Sequence, residues 1–213
     1  AEQTAKHNWS LEHPNEKNPY AELPKMNIFT YDITKNIDNI LDQTGVFSFP
    51  EFFRTWTGNP KADLITDQNG NTIQMPDGAK GRFVHEPEVK EFLDLLCKKD
   101  AENNFPFSTN EYRQMFRHTL WVVSHVNEAA ALEHLLKEHK TFRRFDVVNV
   151  AGKSDADEQN ENALDKVLKA IGDEPEKTST ITISCGRLTT GVTVAPWSAV
   201  FYLKGGDRAA TYM

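Results

Sequence analysis

Residues 181–203 read ITISCGRLTTGVTVAPWSAVFYL, and the reading of this stretch decides the fold. Ile181, Thr182 and Ile183 are β-branched and read as a buried strand. Within three residues the chemistry changes to small residues and hydroxyls: Ser184, Gly186, Thr189, Thr190, Gly191 and Thr193. Pro196 and Trp197 then lead into a further apolar run over residues 199–203. In a parallel α/β sheet, ligands bind at the carboxyl ends of the strands. A loop without bulky Cβ atoms at that place lets backbone amides and hydroxyls approach phosphate oxygens. A glycine-containing turn between two strands has the same composition, so composition leaves both readings open.

The flanking sequence predicts the rest of such a sheet. TLWVV (residues 119–123) and FDVVNV (residues 145–150) are short apolar runs. Between them Asn127 is placed to cap a helix that turns Ala129, Leu132, Leu135 and Leu136 inward. After the second run, Ala163, Leu164, Val167, Leu168 and Ile171 mark the buried face of another helix. Strand, helix, strand, helix, strand predicts a parallel sheet with crossover helices.

Residues 45–117 have another rhythm. Phe47, Phe49, Phe52, Phe53 and Trp56 cluster, Asn69-Gly70-Asn71 marks a tight turn, and residues 86–99 predict a helix burying Val89, Phe92, Leu93 and Leu96. Ser108 with Glu111 reads as a capping box opening a helix through Phe116. The segment reads as a mainly helical insertion. Before it, residues 26–33 (MNIFTYDI) predict a strand, residues 38–41 suggest a short helix, and residues 1–25 show neither period and read as a linker or arm.

The 213 residues suffice for one substantial α/β domain and fall short of a two-lobed motor. A net charge of -7 speaks against a surface that clings to nucleic acid throughout, though a local contact by a few Arg or Lys stays open. Cys97 and Cys185 are the only cysteines and lack metal-ligand spacing, which fits a reducing cytoplasm; no apolar run reaches membrane-span length. His118, His125, His134 and His139 do not make a metal set, and Ser184, Cys185 and His125 do not make a nucleophile elbow with its base. The acidic run Asp155, Asp157, Glu158 and Glu161 suits a helix entry.

The stretch Ser184-Cys185-Gly186-Arg187-Leu188-Thr189-Thr190-Gly191-Val192-Thr193-Val194, followed by Trp197, resembles motif V of superfamily-2 DNA helicases and translocases of the restriction-enzyme kind, type III-like and DEAD/DEAH-related. Residues 118–125 (HTLWVVSH) are similar to the family's motif IV, and residues 145–152 (FDVVNVAG) to its next core strand; the resemblance covers about half the chain, residues 118–213, with a weaker match at residues 20–33.

The resemblance implies a parallel RecA-like sheet of the P-loop NTPase type, formed by residues 26–44 and 118–213, as the second lobe of a motor. It implies Ser184, Arg187, Thr189 and Thr190 at DNA and Gly191 and Thr193 at the nucleotide. The family often has Asp where Thr193 stands.

No Gly-x-x-x-x-Gly-Lys-Thr/Ser and no acidic pair for Mg²⁺ occurs in the chain, so ATP and Mg are expected only with a first RecA-like domain, and no residue here is assigned a catalytic role. The family's arginine finger would follow Met213, which suggests a fragment inactive alone. DNA, the first RecA-like domain and a methyltransferase subunit are the expected partners, and no membrane. A non-catalytic α/β interaction module and a small-molecule enzyme of doubly wound fold remain the rival expectations.

Overall fold

The computed structural model describes residues 2–18, 21, 48–66, 71–99, 105–152, 157–189 and 191–204. The strand expected at residues 26–33, the helix at 38–41 and the turn at 69–70 lie outside the described residues. The chain divides into two compact units, residues 1–31 and 32–213. The first carries helix α1 (Glu2–Glu12), where the sequence showed no period. Its Trp9 ring stacks on His13 at 4.2 Å, and the His13 N–H donates to the Trp9 carbonyl at 2.8 Å.

The second unit is built on four parallel strands: β3 (His118–Val122), β4 (Asp146–Asn149), β5 (Thr180–Ser184) and β6 (Ala199–Tyr202), in the order β4-β5-β3-β6. Before them in the chain come α2 (Phe49–Phe52), the antiparallel pair β1 (Ile65–Thr66) and β2 (Thr72–Ile73), α3 (Glu86–Leu96) and α4 (Asn110–Met115). Helices α5 (Val126–Glu138) and α6 (Asp157–Ile171) provide the connections from β3 to β4 and from β4 to β5. Every residue of β3 and β5 is buried, while β4 and β6 are partly exposed, as central and edge strands of a parallel sheet should be. This is the α/β sheet flanked by helices that the sequence predicts, compatible with a RecA-like lobe.

Strand alternation sorts the helices onto opposite faces. Ile181, Ile183, Trp121 and Val123 share a core with Leu132 and Leu136 of α5, whereas Val150 joins Ala163, Val167 and Ile171 of α6 in another. In β4, Val147 packs with the first core and Val148 with the second. Leu168 was expected in the buried face of α6; it is 45% exposed, because the helix meets the sheet along a stripe narrower than its apolar face.

Described residues between 48 and 117 contribute to the core of the sheet. Phe52, Phe53, Phe92, Leu93, Phe107 and Phe116 belong to the same core as Trp121 and Ile183. Trp121 is wholly buried, stacks on Phe201 at 4.9 Å and meets Phe142 edge-on at 5.6 Å. Its Nε1–H donates to Thr119 Oγ1 at 3.0 Å, which satisfies the indole donor within the core.

Two caps differ from the expected ones. Helix α4 starts from Thr109, whose Oγ1 accepts the Tyr112 N–H at 3.2 Å, while Ser108 Oγ donates to the Phe105 carbonyl. Helix α5 starts from His125, two residues before Asn127, because Glu128 reaches back to bind the chain there. His118 lies within β3 and is buried, its Nδ1 2.9 Å from Thr180 Oγ1 and its Nε2 2.8 Å from the Pro175 carbonyl.

The turn after α5 joins the sheet to α3. His139 Nδ1 accepts the backbone N–H groups of Thr141 (3.2 Å) and Phe142 (3.4 Å), so the ring is neutral with its proton on Nε2. That Nε2 is 3.4 Å from Asp94 Oδ1, long for a hydrogen bond, and Lys140 Nζ binds the same oxygen at 2.8 Å. Burial holds the His139 pKa below its ordinary value, against the opposing pull of Asp94. The unfolded chain then binds this proton more readily than the folded one, so the stability from neutral His139 is fully present above the ordinary histidine value and falls as pH drops below it. The midpoint of urea unfolding should decline from about pH 7.5 to about pH 5.5, around the unperturbed ~6.5. His139→Gln should flatten that decline; an equally steep one in the variant would assign it elsewhere.

Candidate functional site

The loop after β5 is built around one hydroxyl. Ser184 is fully buried, its Oγ–H donates to the Arg187 carbonyl at 2.5 Å, and the same oxygen accepts the Gly186 N–H at 3.2 Å. The backbone turns sharply there, with φ of 141° at Gly186 and 58° at Leu188. A left-handed leucine costs about 1–2 kcal/mol. Leu188 offsets that cost by burying its side chain in the α6 core beside Val194. Thr189 is exposed, and its Oγ1–H closes the turn on the Gly186 carbonyl at 2.7 Å. Gly191 has φ of 74° with open space where a Cβ would stand, and Thr193 is exposed. Thr190 lies outside the described residues. The loop returns to the sheet through the Trp197 N–H to the Val194 carbonyl (3.0 Å) and the Ser198 N–H to the His118 carbonyl (2.9 Å).

Arg187 crosses from the end of β5 to the end of β4, where its Nη1 lies 3.4 Å from the Val150 carbonyl. A Cβ on Gly152 would come within 2.7 Å of that nitrogen, so the glycine leaves room for the guanidinium. Beside it is a cleft of about 400 Å³ whose lining includes Asn149, Ala151, Gly152, Asn162, Lys166 and Arg187. Asn149 is fixed by donating to Glu133 Oε2 at 2.9 Å and accepting the Ala151 N–H at 3.0 Å. Two cations and two side-chain amides face one opening at the carboxyl end of a parallel sheet, an arrangement suited to an anion such as a phosphate diester.

The neighbouring helix start is already filled. Glu128 is buried, and its carboxylate accepts the Ser124 N–H at 2.8 Å and the His125 N–H at 3.1 Å, with His125 Nδ1 also at 2.8 Å. The chain's own carboxylate thereby occupies amides that could have served a ligand phosphate at the end of β3. Neither cysteine is activated: burial pushes the Cys97 thiol up to about 11 and raises that of Cys185, with Arg187 only partly opposing the latter. Among the described residues no group of three His, Cys, Asp or Glu could hold a metal ion.

Of the residues singled out in the sequence, Ser184, Arg187 and Thr189 thus share one tight turn, and Gly191 and Thr193 lie farther along the same loop. The pattern did not single out Asn149, Gly152, Asn162, Lys166 or Glu128. Asn162 and Lys166 are four apart on α6, a spacing that puts both on one helix face and could have drawn attention. Ser184→Ala should remove the bonds that the buried Ser184 hydroxyl makes to the Arg187 carbonyl and the Gly186 N–H and lower unfolding free energy by about 1–3 kcal/mol. Thr189→Ala, at an exposed position, should change it by no more than about 0.5 kcal/mol. Urea titrations of the two variants check this contrast; equal effects would contradict the geometry.

No family model matches the chain, and no solved structure matches it. A curated protein of Mycoplasma pneumoniae (strain ATCC 29342 / M129 / Subtype 1), provisionally named as the C-terminus of type II restriction enzyme and methyltransferase RM.MpnORF110P, is 29% identical over 212 residues. The match covers 94% of this chain but 28% of the relative's length. The chain is therefore similar, along nearly all of itself, to roughly the quarter of a restriction-modification protein that it spans.

Proposed function

We propose that this chain is the second RecA-like lobe of an ATP-dependent DNA helicase or translocase belonging to a restriction-modification enzyme, and that it couples nucleotide state to DNA contact. The observation that carries this reading is the loop of residues 184–194: it leaves the carboxyl end of central strand β5 and sends Arg187 into the cationic cleft beside β4. The similarity to a restriction-modification protein supports the same reading.

In this reading Arg187, Thr189 and Thr190 contact a DNA phosphate, with Lys166 adding charge. Ser184 holds the turn from beneath. Gly191 and Thr193 face the nucleotide: a glycine without Cβ contacts and an exposed hydroxyl fit the edge of a nucleotide but not its phosphates. Mg-ATP would be held chiefly by a first RecA-like lobe and supplies the phosphoryl chemistry when bound. The relative's name supports a methyltransferase partner. The rival, a non-catalytic α/β interaction module, draws on the inward side chains of Ser184, Leu188 and Val194.

DNA-stimulated ATP hydrolysis by the gene's complete product separates the two. Arg187→Ala, Thr190→Ala and Gly191→Ala should each lower the stimulated rate at least about tenfold, equivalent to about 1.4 kcal/mol. The isolated chain should hydrolyse no ATP. Wild-type rates in all three variants, or no ATPase in the complete product, would overturn the motor reading in favour of the module.

A further inference from the structure

The cleft beside Arg187 is braced from behind by helix α5, on the other face of the sheet. Along β4 and its exit, Val148 and Val150 turn toward the α6 core, so Asn149 between them turns the opposite way and meets Glu133 of α5. Glu133 divides its two oxygens: Oε1 takes the Lys137 ammonium at 2.5 Å, and Oε2 takes the Asn149 Nδ2–H at 2.9 Å. An ionised carboxylate only accepts hydrogen bonds, so it dictates which end of the Asn149 amide faces it. With the amino group held on Glu133, Asn149 Oδ1 is left to accept the Ala151 N–H at 3.0 Å. A flipped amide would set two donors, its own NH2 and the Ala151 N–H, against each other.

That choice shapes the lip of the cleft. The Val150 N–H holds the chain to the Ile183 carbonyl at 2.9 Å, and the Asn149 side chain fixes the next N–H, that of Ala151. Between these two anchors lies the Val150 carbonyl, 3.4 Å from Arg187 Nη1, and Gly152 just beyond gives the guanidinium its room. Glu133 is not among the residues that line the cleft. We propose that Glu133 is a positioning residue for DNA contact: through Asn149 it sets the turn of residues 150–152, against which the Arg187 guanidinium is aimed at a phosphate. The inference rests on the reading of this cleft as a DNA-phosphate site. A nearby carboxylate with no such role would only repel DNA, and its removal would tighten binding; positioning predicts the opposite sign.

The test is equilibrium binding of a fluorescein-labelled duplex with a single-stranded tail to the gene's complete product, in a double-mutant cycle of Glu133→Ala and Arg187→Ala. Glu133→Ala should weaken binding at least about threefold and Arg187→Ala at least about tenfold, while the combined variant should bind no more weakly than Arg187→Ala alone. A swapped pair separates positioning from a folding defect. Asn149→Asp sets two carboxylates together and should weaken binding at least about threefold; adding Glu133→Gln lets a side-chain amide donate to the new carboxylate and should restore binding to within about twofold of wild type. Wild-type or tighter binding by Glu133→Ala, beside a weakened Arg187→Ala, would overturn the inference and leave the cleft reading standing. Losses that multiply in the combined variant, or no recovery in the swapped pair, would do the same. Wild-type binding by Arg187→Ala would overturn the cleft reading and this inference with it.

Discussion

Burial of β5 on both faces is the constraint on which the rest of the molecule depends. Hydrogen-bonded to β4 on one side and β3 on the other, it has all five residues withdrawn from water. Its Ile181 and Ile183 face the α5 core, and Thr180, Thr182 and Ser184 fall on the opposite side by alternation. Buried hydroxyls need partners, and two of the three find them in functional or structural positions: Thr180 beside His118 Nδ1, and Ser184 on the Arg187 carbonyl. The last buried residue of the strand therefore sets the path of the loop that leaves it.

That path creates the candidate site. Once Ser184 holds the Arg187 carbonyl, the arginine side chain projects toward the end of β4, where Gly152 offers no Cβ to obstruct it. Leu188 is turned inward at positive φ, and Thr189 and Gly191 remain outside. One turn thus divides a continuous motif into residues that anchor and residues that can touch a ligand. At the end of β3, by contrast, Glu128 satisfies the local amides internally, leaving the β4 side as the more open place for an anion.

The helices were legible where one face meets one core. Val89, Phe92, Leu93 and Leu96 of α3, and Ala129, Leu132, Leu135 and Leu136 of α5, are buried as their spacing requires. Their starts were less legible, because Thr109 and His125 act as caps through bonds to residues three positions on, which compete with equally plausible neighbours such as Ser108 and Asn127. The boundary drawn between residues 117 and 118 reflected a change of rhythm. Phe107, on the near side of it, lies 4.9 Å from Phe142 and 5.5 Å from Phe201, within the core that the sheet shares.

By itself, the sequence determined that the chain builds a parallel α/β sheet and that the loop of residues 184–194 lies at a strand's carboxyl end, because β-branched runs, amphipathic spacing and glycine-hydroxyl clusters act locally. Only the tertiary structure decided which loop residues turn inward and that Arg187 reaches the cleft shared with Lys166. Those outcomes depend on which strands are neighbours and how side chains compete for buried volume and hydrogen bonds across long chain separations. No local pattern encodes that competition.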